Sequence, residues 1–297
     1  MAGGVPNTNF KNTQLDPNKN YTLPLMVLTS LFFMWAVATN FNDILMPKLK
    51  DALHLSNTQT SFVQVAFFLG YGIMSIPAGL IIKRVGYKSG ILIGLGTCAL
   101  GSIAFIPAAN LLHYSVFLMA LFVIAGGITF LQVAANAYVS ILGDPSTASS
   151  RLNLSQAFNS IGAFVGPWFA GQVMLDNHAS AGAESVKFPY MILCGLFVIA
   201  FIVIALSKLP EIQSEKKLSN PFVALRYKHT ALAVLSIFLY VGAEVAIGSY
   251  FVQFTKYLNL GLTEQQSSNF LVAYMICAAV GRFLGSALLT KIEPGKA

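Results

Sequence analysis

The amino-acid sequence predicts an all-α polytopic membrane protein. Of its 297 residues, 56% are hydrophobic and 10% are charged, whereas charged residues make up about 25% of an average soluble domain. The charges cluster in short blocks between long uncharged stretches, as in helices that cross a hydrocarbon core about 30 Å thick. The strands of a membrane barrel would alternate apolar and polar residues instead.

Eight candidate transmembrane spans follow one another along the chain. Their boundaries are 25–47, 59–82, 89–109, 114–142, 153–175, 189–207, 230–256 and 266–290. Residues 1–24 are polar and lack the short apolar core and cleavage site of a secretory signal, so we expect the first span to remain a helix. This first segment is predicted to be cytoplasmic.

The distribution of basic residues supports that orientation. With the amino terminus inside, the inside segments hold Lys11, Lys19, Lys83, Arg84, Lys88, Arg151, Lys208, Lys216, Lys217, Arg226, Lys228, Lys291 and Lys296. The outside segments then hold Lys48, Lys50, Lys187 and Lys256. Because Lys and Arg concentrate on the cytoplasmic side of membrane proteins, topology alone explains the net charge of +7, and no nucleic-acid partner is expected.

The spans divide into two predicted bundles. Residues 25–207 form a six-helix bundle, 208–229 a cytoplasmic linker, and 230–297 the first two helices of a second bundle. The stretch L-H-L-S-N-T-Q-T-S at 53–61 resembles L-G-L-T-E-Q-Q-S-S at 260–268, each after the first span of its bundle. Such similarity is typical of transporters built from repeats. Two helices make an incomplete second bundle, so we expect this chain to be part of a longer protein.

Three ionisable residues fall inside the spans: Asp43, Glu244 and Arg282. A charge near the middle of a membrane helix costs roughly 2.5 to 3.5 kcal/mol, so each should face protein or a water-filled cavity. Two alternatives remain open. Asp43 lies near the outer end of its span and would then simply reach the interface, and Glu244 would pair with Arg282 in a purely structural role.

Uncharged polar residues align on several spans. At 100° per residue, each set shares one side of its helix. The sets are Asn40 with Asp43; Ser61, Gln64, Tyr71 and Ser75; Thr129, Gln132, Asn136 and Ser140; and Asn153, Gln156, Asn159 and Ser160. Hydrogen bonds between helices, worth around 0.6 kcal/mol each, are one explanation. Amides both donate and accept, so they also suit the hydroxyls of an uncharged, polyhydroxylated solute, which we favour. Trp35 is a candidate aromatic face for a sugar ring, or a core residue.

Glycines spaced four residues apart predict close helix contacts. The pairs are Gly90 and Gly94, Gly162 and Gly166, and Gly281 and Gly285. The cysteines Cys98, Cys194 and Cys277 fall in three different spans, which predicts packing roles, without a disulfide framework or a metal site. No cofactor is expected.

Six motifs resemble the fucose, galactose and glucose permease family of the major facilitator superfamily. They are N-F-N-D-I-L (40–45), G-L-I-I-K-R-V-G-Y-K-S-G-I (79–91), I-P-A-A-N (106–110), L-Q-V-A-A-N-A-Y (131–138), R-L-N-L-S-Q-A-F-N-S-I-G (151–162) and F-L-Y-V-G-A-E-V-A-I-G-S (238–249). They occur in order along nearly the whole chain. The resemblance implies twelve helices in two bundles and a sugar carried inward with a proton.

The resemblance also implies roles for particular residues. Asp43 would take part in sugar recognition or proton coupling, with Glu244 as a second coupling candidate, and Gln156 and Asn159 would contact the sugar. The aligned polar sets add Asn40, Gln132 and Asn136 to the expected hexose site. The implied protein is a monomer in the lipid bilayer of the bacterial inner membrane.

Three departures from the family pattern stand out. Gln132 replaces a glutamate of the fucose-type members, which favours the glucose and galactose branch. Ala137 stands in place of a proline. Ile82 replaces an aspartate in the basic turn, so an ion pair with Lys83 or Arg84 is not expected there.

Other function classes fit less well or remain alternatives. The sequence contains neither an H-E-x-x-H nor a G-x-S-x-G motif, so we do not expect an enzyme. A sodium-coupled symporter stays open, because carboxylate and amide oxygens also bind cations. A sugar sensor that binds without transporting stays open too.

Overall fold

The structure of the chain is a computed structural model that describes residues 21–175, 187–210, 221–258, 261 and 264–292. Inside these ranges, the side chains of a few helical residues, including 42–48, lie outside the description. The described ranges contain nine α-helices and no strand, which confirms the predicted all-α class. The helices are α1 (Thr22–Ala52), α2 (Asn57–Val85), α3 (Tyr87–Ile103), α4 (Phe105–Leu111), α5 (Tyr114–Ile141), α6 (Ala148–Leu175), α7 (Lys187–Leu206), α8 (Lys228–Tyr257) and α9 (Glu264–Leu288).

A helix lies on each of the eight predicted spans, with α3 and α4 together on the third. In the described part of the chain, six segments are long and apolar enough to cross a membrane: Thr22–Phe41, Thr58–Val85, Tyr87–Leu111, Tyr114–Ile141, Lys187–Leu206 and Lys228–Ile247. Helix α6 carries polar side chains in its first half, and α9 carries them in its first turns. The apolar part of α9 is the shorter Val272–Leu288.

The start and end of α2 show how the sequence sets helix boundaries. Ser56 Oγ accepts a hydrogen bond from the Gln59 backbone N–H at 3.2 Å, and Gln59 Oε1 accepts one from the Ser56 N–H at 2.9 Å. This reciprocal capping box satisfies backbone donors that have no partner within the helix. The helix ends at Gly86, whose φ of 88° is a conformation that glycine adopts easily. The predicted repeat partner at 260–268 lies partly outside the described residues.

The core is built around α5. Helices α2 and α3 both pack on α5, α7 packs on α3, and α1 packs along α6. Buried side chains of α5, including Ile128, Leu131 and Tyr138, share one apolar core with buried residues of α3 such as Leu95 and Cys98. On α7, by contrast, large apolar residues such as Ile199 and Leu206 are exposed, as expected for a face in contact with lipid tails.

Most of the glycines that the spacing predicts at close helix contacts do lie at such contacts. A Cβ on Gly166 would lie 3.0 Å from Val37 O, and one on Gly162 would lie 2.9 Å from Ala36 Cβ, so α6 approaches the α1 backbone closely. Gly94 of α3 meets Gly127 of α5 in the same way. Gly90 lies against the Ile82 side chain and Gly285 against Asn153. The prediction is wrong for Gly281, whose Cβ position has no atom of the described residues within 4 Å.

The chain divides into two compact units. The first comprises Met1–Lys216 and Arg282–Ala297, so it contains α1 to α7 and the end of α9. The second comprises Lys217–Gly281, with α8 and most of α9. Within the second unit, Thr255 Oγ1 and Ser267 Oγ form a buried hydrogen bond of 2.7 Å between α8 and α9. The proposed linker 208–229 and the amino-terminal segment lie partly outside the described residues, and the two-bundle division stays a prediction.

Candidate functional site

Four helices of the first unit surround the predicted polar residues. Helices α1, α2, α5 and α6 are in sequential contact, and α1 also contacts α5. Helices α1 and α6 are parallel, since contacts advance together along both: Thr29 with Ser155, Ala36 with Gly162 and Val37 with Gly166. This shared register gives the height of each polar residue along the helices.

Two predicted amides contact each other directly. Gln156 Nε2 of α6 donates to Asn136 Oδ1 of α5 over 3.4 Å. Asn136 Nδ2 in turn donates to the Gln132 backbone oxygen at 2.8 Å. All three side chains are half-buried. The pairing orients the amides, and Gln156 Oε1 and the Gln132 side chain make no hydrogen bond to any residue that the structure describes.

The other two asparagines are tied to the backbone of α1. Asn159 Nδ2 donates to Phe32 O at 3.1 Å, close to the Asn136–Gln156 pair. Asn40 Nδ2 donates to Ala36 O of its own helix at 2.7 Å. Asn40 lies eight residues beyond Phe32, which is about 12 Å along the axis at a rise of about 1.5 Å per residue. The structure therefore brings together Gln132, Asn136, Gln156 and Asn159 and leaves Asn40 at a different height.

The two predicted acidic residues belong to α1 and α8. Asp43 belongs to α1, but its side chain lies outside the described residues. Glu244 is half-buried on α8 in the second unit. Their assignment as coupling groups therefore stays a prediction.

Trp35 has the packing role. It is 2% exposed, and its ring centroid lies 4.2 Å from that of Phe32 inside the core. The expectation that it offers an open face to a sugar does not fit this arrangement.

A pair of hydroxyls lies at the height of Asn40. Thr39 Oγ1 of α1 lies 3.3 Å from Tyr71 Oη of α2, and it also donates to Trp35 O at 2.8 Å. Both side chains are half-buried. Tyr71 belongs to the predicted polar set of its span, whereas nothing in the spacing of Thr39 indicated this contact.

Arg151 caps the carboxyl end of α5, a role that the distribution of charged residues along the sequence does not reveal. Its guanidinium donates to the backbone oxygens of Val139, Ser140 and Asp144 at 3.2, 3.0 and 2.7 Å, and to Thr147 Oγ1 at 2.6 Å. A cation at a helix carboxyl end satisfies carbonyls that have no partner within the helix. Lys88 does the same for α7, since its Nζ donates to Ala205 O at 3.1 Å and to Ser207 O at 2.8 Å.

The end of α9 is attached to α6 beside the amides. Ser150 and Ser286 exchange hydrogen bonds, each hydroxyl reaching the other's backbone oxygen, at 2.8 and 2.9 Å. Asn153 Nδ2 donates to Arg282 O at 2.9 Å, and the Arg282 guanidinium donates to Ser160 Oγ. Arg282 thus places its charge one residue beyond Asn159 on α6.

The chemistry of the cluster suits recognition of a neutral solute. It presents side-chain amide donors and acceptors, with no group of three His, Cys, Asp or Glu side chains arranged for a metal among the described residues. Amides can satisfy hydroxyls that both donate and accept. Structural hydrogen bonding between helices explains the contact from Asn159 to Phe32, but it does not explain the half-buried Gln132, whose side chain bonds no described residue.

Comparisons with known proteins show which family the chain belongs to. The model of the family described as Major Facilitator Superfamily matches residues 26–297. The glucose/galactose transporter of Brucella abortus biovar 1 (strain 9-941) is 44% identical over 308 residues, which cover 100% of this chain and 74% of the relative. The L-fucose-proton symporter of Escherichia coli (strain K12) is 38% identical over 306 residues, covering 94% of this chain and 70% of the relative.

Solved structures give the same result. A crystal structure of the E. coli fucose:proton symporter has a TM-score of 0.80 and 36% identity, covering 94% of this chain and 73% of the other. A second one, in the outward conformation, has a TM-score of 0.79 and 37% identity over 94% of this chain and 74% of the other. These similarities, together with the apolar helices, make the chain an integral membrane protein, and it belongs to the major facilitator superfamily.

Proposed function

We propose that this protein is a secondary active sugar transporter that imports a hexose, with glucose or galactose as the best candidates, together with a proton. The observation that carries the proposal is the 44% identity to a glucose/galactose transporter along 100% of this chain. The proton is proposed because another relative, 38% identical, is named an L-fucose-proton symporter. Transport would proceed by alternating access, in which one site opens first to one side of the membrane and then to the other.

The amide cluster supports the sugar part of the proposal. Asn136 and Gln156 hold each other in place, which leaves Gln156 Oε1 and the Gln132 amide to bind hydroxyls of the solute. Asn159 would contribute its Oδ1, because its Nδ2 is held by Phe32 O. Asn40 would act at a second height, toward the end of α1.

Asp43 is the proposed proton carrier, and Glu244 is the second candidate. A carboxylate inside the membrane is costly while it is charged, so low polarity favours the protonated form. A carboxyl that loads a proton when the site faces outward and releases it inward would link the two fluxes. The position of Asp43 in α1, three residues beyond Asn40, supports this role.

Orientation and assembly follow from the same proposal. The amino terminus would be cytoplasmic, in agreement with the distribution of Lys and Arg, and the protein would be a monomer of the bacterial inner membrane. A transporter of this class carries out no covalent chemistry on its sugar.

The proposal is tested by following external pH in lightly buffered cells that express the natural gene product. Adding D-glucose or D-galactose should make the medium alkaline as protons enter with the sugar. Asp43→Asn should abolish both the pH change and sugar accumulation while exchange of labelled sugar persists. Glu211→Gln, which changes a carboxylate of the predicted linker 208–229, is the matched control and should leave both signals intact.

Other outcomes point to specific alternatives. Uptake that requires sodium and is indifferent to pH would indicate a sodium-coupled symporter. Sugar binding without net flux in vesicles would indicate a sensor. Unchanged accumulation in Asp43→Asn would remove Asp43 as the proton carrier.

A further inference from the structure

The hydroxyl pair Thr39–Tyr71 lies where α1, α2 and α5, three helices of the proposed site, pack together. On α2, Gly70 meets Ala125 and Phe122 of α5, while the next residue, Tyr71, reaches Thr39 of α1. Thr39 directly precedes Asn40 and lies one helical turn before Asp43. Tyr71 is therefore next to both α1 and α5, at the height of Asn40.

The direction of the hydrogen bonds in this pair can be derived. A threonine hydroxyl has a single proton, and Thr39 uses it to donate to Trp35 O at 2.8 Å. In the 3.3 Å contact with Tyr71, Thr39 must then be the acceptor and Tyr71 the donor. The Tyr71 proton is thereby occupied, and its oxygen presents lone pairs alone.

The phenol ring is also held in position. It packs edge-on against Phe67 of the same helix, with ring centroids 5.3 Å apart. Among the residues that the structure describes, Tyr71 Oη has Thr39 as its hydrogen-bond partner and accepts from none. A half-buried oxygen with a fixed acceptor direction is well suited to select a hydroxyl that donates.

We propose that Tyr71, oriented by Thr39, is a specificity-determining residue that accepts a hydrogen bond from one particular hydroxyl of the transported sugar. This inference rests on the proposed function and extends its site to α2. It differs from the role of the amides, which offer donors and acceptors together, because Tyr71 distinguishes a donating hydroxyl from a hydrogen at the same carbon. A site built to bond a hydroxyl discriminates strongly against an analogue that lacks it.

The test measures equilibrium binding of labelled D-glucose and D-galactose, and of their monodeoxy analogues in competition, to the natural gene product in detergent. Tyr71→Phe removes one oxygen and keeps the ring. It should weaken binding of the parent sugar about 3- to 10-fold, the effect of one hydrogen bond. One monodeoxy analogue should bind the variant and the unmodified protein equally, because it lacks the hydroxyl that Tyr71 accepts. The other analogues should weaken like the parent.

Thr39 and Tyr114 supply independent controls. Thr39→Val should weaken parent binding in the same direction, because Tyr71 loses the partner that orients it, and Thr39→Ser should restore binding. Tyr114→Phe, which removes a 2.6 Å bond to the Gln59 backbone, should leave every affinity unchanged.

The outcomes separate the two proposals. If Tyr71→Phe leaves affinity unchanged, or weakens all analogues equally, Tyr71 is a structural contact and this inference is wrong while the sugar site stands. If neither hexose binds the unmodified protein, the proposed function is wrong and the inference falls with it.

Discussion

Gln156 Nε2 donates to Asn136 Oδ1 over 3.4 Å, a contact that joins α6 to α5 in the middle of the polar cluster. The distance lies beyond the usual range of about 2.7 to 3.2 Å for this type of bond. The contact is therefore a weak hydrogen bond that still orients the two amides.

The first prediction concerns this pair. Asn136→Ala or Gln156→Ala should weaken hexose binding about tenfold, because each removes solute contacts and leaves a half-buried amide without its partner. Binding in detergent measures the effect, and the double variant should lose less than the sum of the two single losses. Asn110→Ala, on an exposed position of α4, is the control and should bind normally. Full additivity would show that the two amides act independently.

The second prediction concerns the contact of α1 with α6. Gly166→Ala should lower the free energy of unfolding by about 1 to 3 kcal/mol, because the new methyl group would lie 3.0 Å from Val37 O and 3.1 Å from Val37 Cα. Backbone atoms cannot move aside as a flexible side chain can. Gly195→Ala on α7 should be tolerated, because the described part of the chain has no atom within 4 Å of the new methyl group. Denaturant unfolding in detergent compares the two variants, and equal stability would contradict the close contact.

The third prediction concerns Arg151. Arg151→Leu should lower the free energy of unfolding by about 3 kcal/mol, the upper range for a hydrogen bond to a charged group, because four acceptors lose their donor. Arg151→Lys should recover part of this loss, since an ammonium cannot reproduce the planar geometry of a guanidinium. Arg84→Leu, at an exposed position of the basic turn, should have little effect in the same unfolding assay. A stable Arg151→Leu protein would show that water replaces the guanidinium at no cost.

The fourth prediction concerns pH and the loop before α6. The Ser146 backbone N–H and hydroxyl, both 2.8 Å from Asp144 Oδ1, lower the pKa of the Asp144 carboxyl, with a smaller contribution from the Arg151 charge. Since its pKa is lower in the folded state, the carboxylate stabilises the fold above its unfolded pKa. This stabilisation is lost as pH falls through the folded pKa.

Asp144→Asn should therefore lower stability near pH 7 and have little effect once the pH is below the folded pKa. Thermal unfolding at a series of pH values checks this. A stability difference that stays constant down to the lowest pH would show that ionisation of Asp144 does not contribute.

The positions of the helices were predictable from the sequence because each long apolar stretch directly indicates a membrane-spanning helix. Every predicted span carries a helix, and the glycine pairs 90/94 and 162/166 mark real contacts because a glycine has no side chain to hold a neighbour away. Gly281 fails because spacing alone does not say whether a neighbouring helix lies on that face.

Side-chain partners were less predictable. From its sequence position, Trp35 fits either a sugar-binding site or the hydrophobic core. Its burial and its contact with Phe32 show that it belongs to the core. The acceptors of Arg151 and Lys88 are backbone oxygens, which every residue has, so sequence patterns give no signal for them. The pairing of Asn136 with Gln156 depends on the register between two antiparallel helices, α5 and α6. Composition and periodicity within one helix carry no information about that register.

The absence of side chains at Gly162 and Gly166 has a consequence for selectivity. Because Gly162 and Gly166 bring the backbone of α6 against that of α1, we expect the two helices to move together and to keep the spacing between Asn40 and Asn159 while a sugar exchanges. A solute that binds on this side of the site would then meet two amides at a fixed separation. We therefore expect adjustment to different hexoses to come from α2 and α5, where Tyr71 bonds Thr39 and the Gln132 side chain bonds no residue that the structure describes.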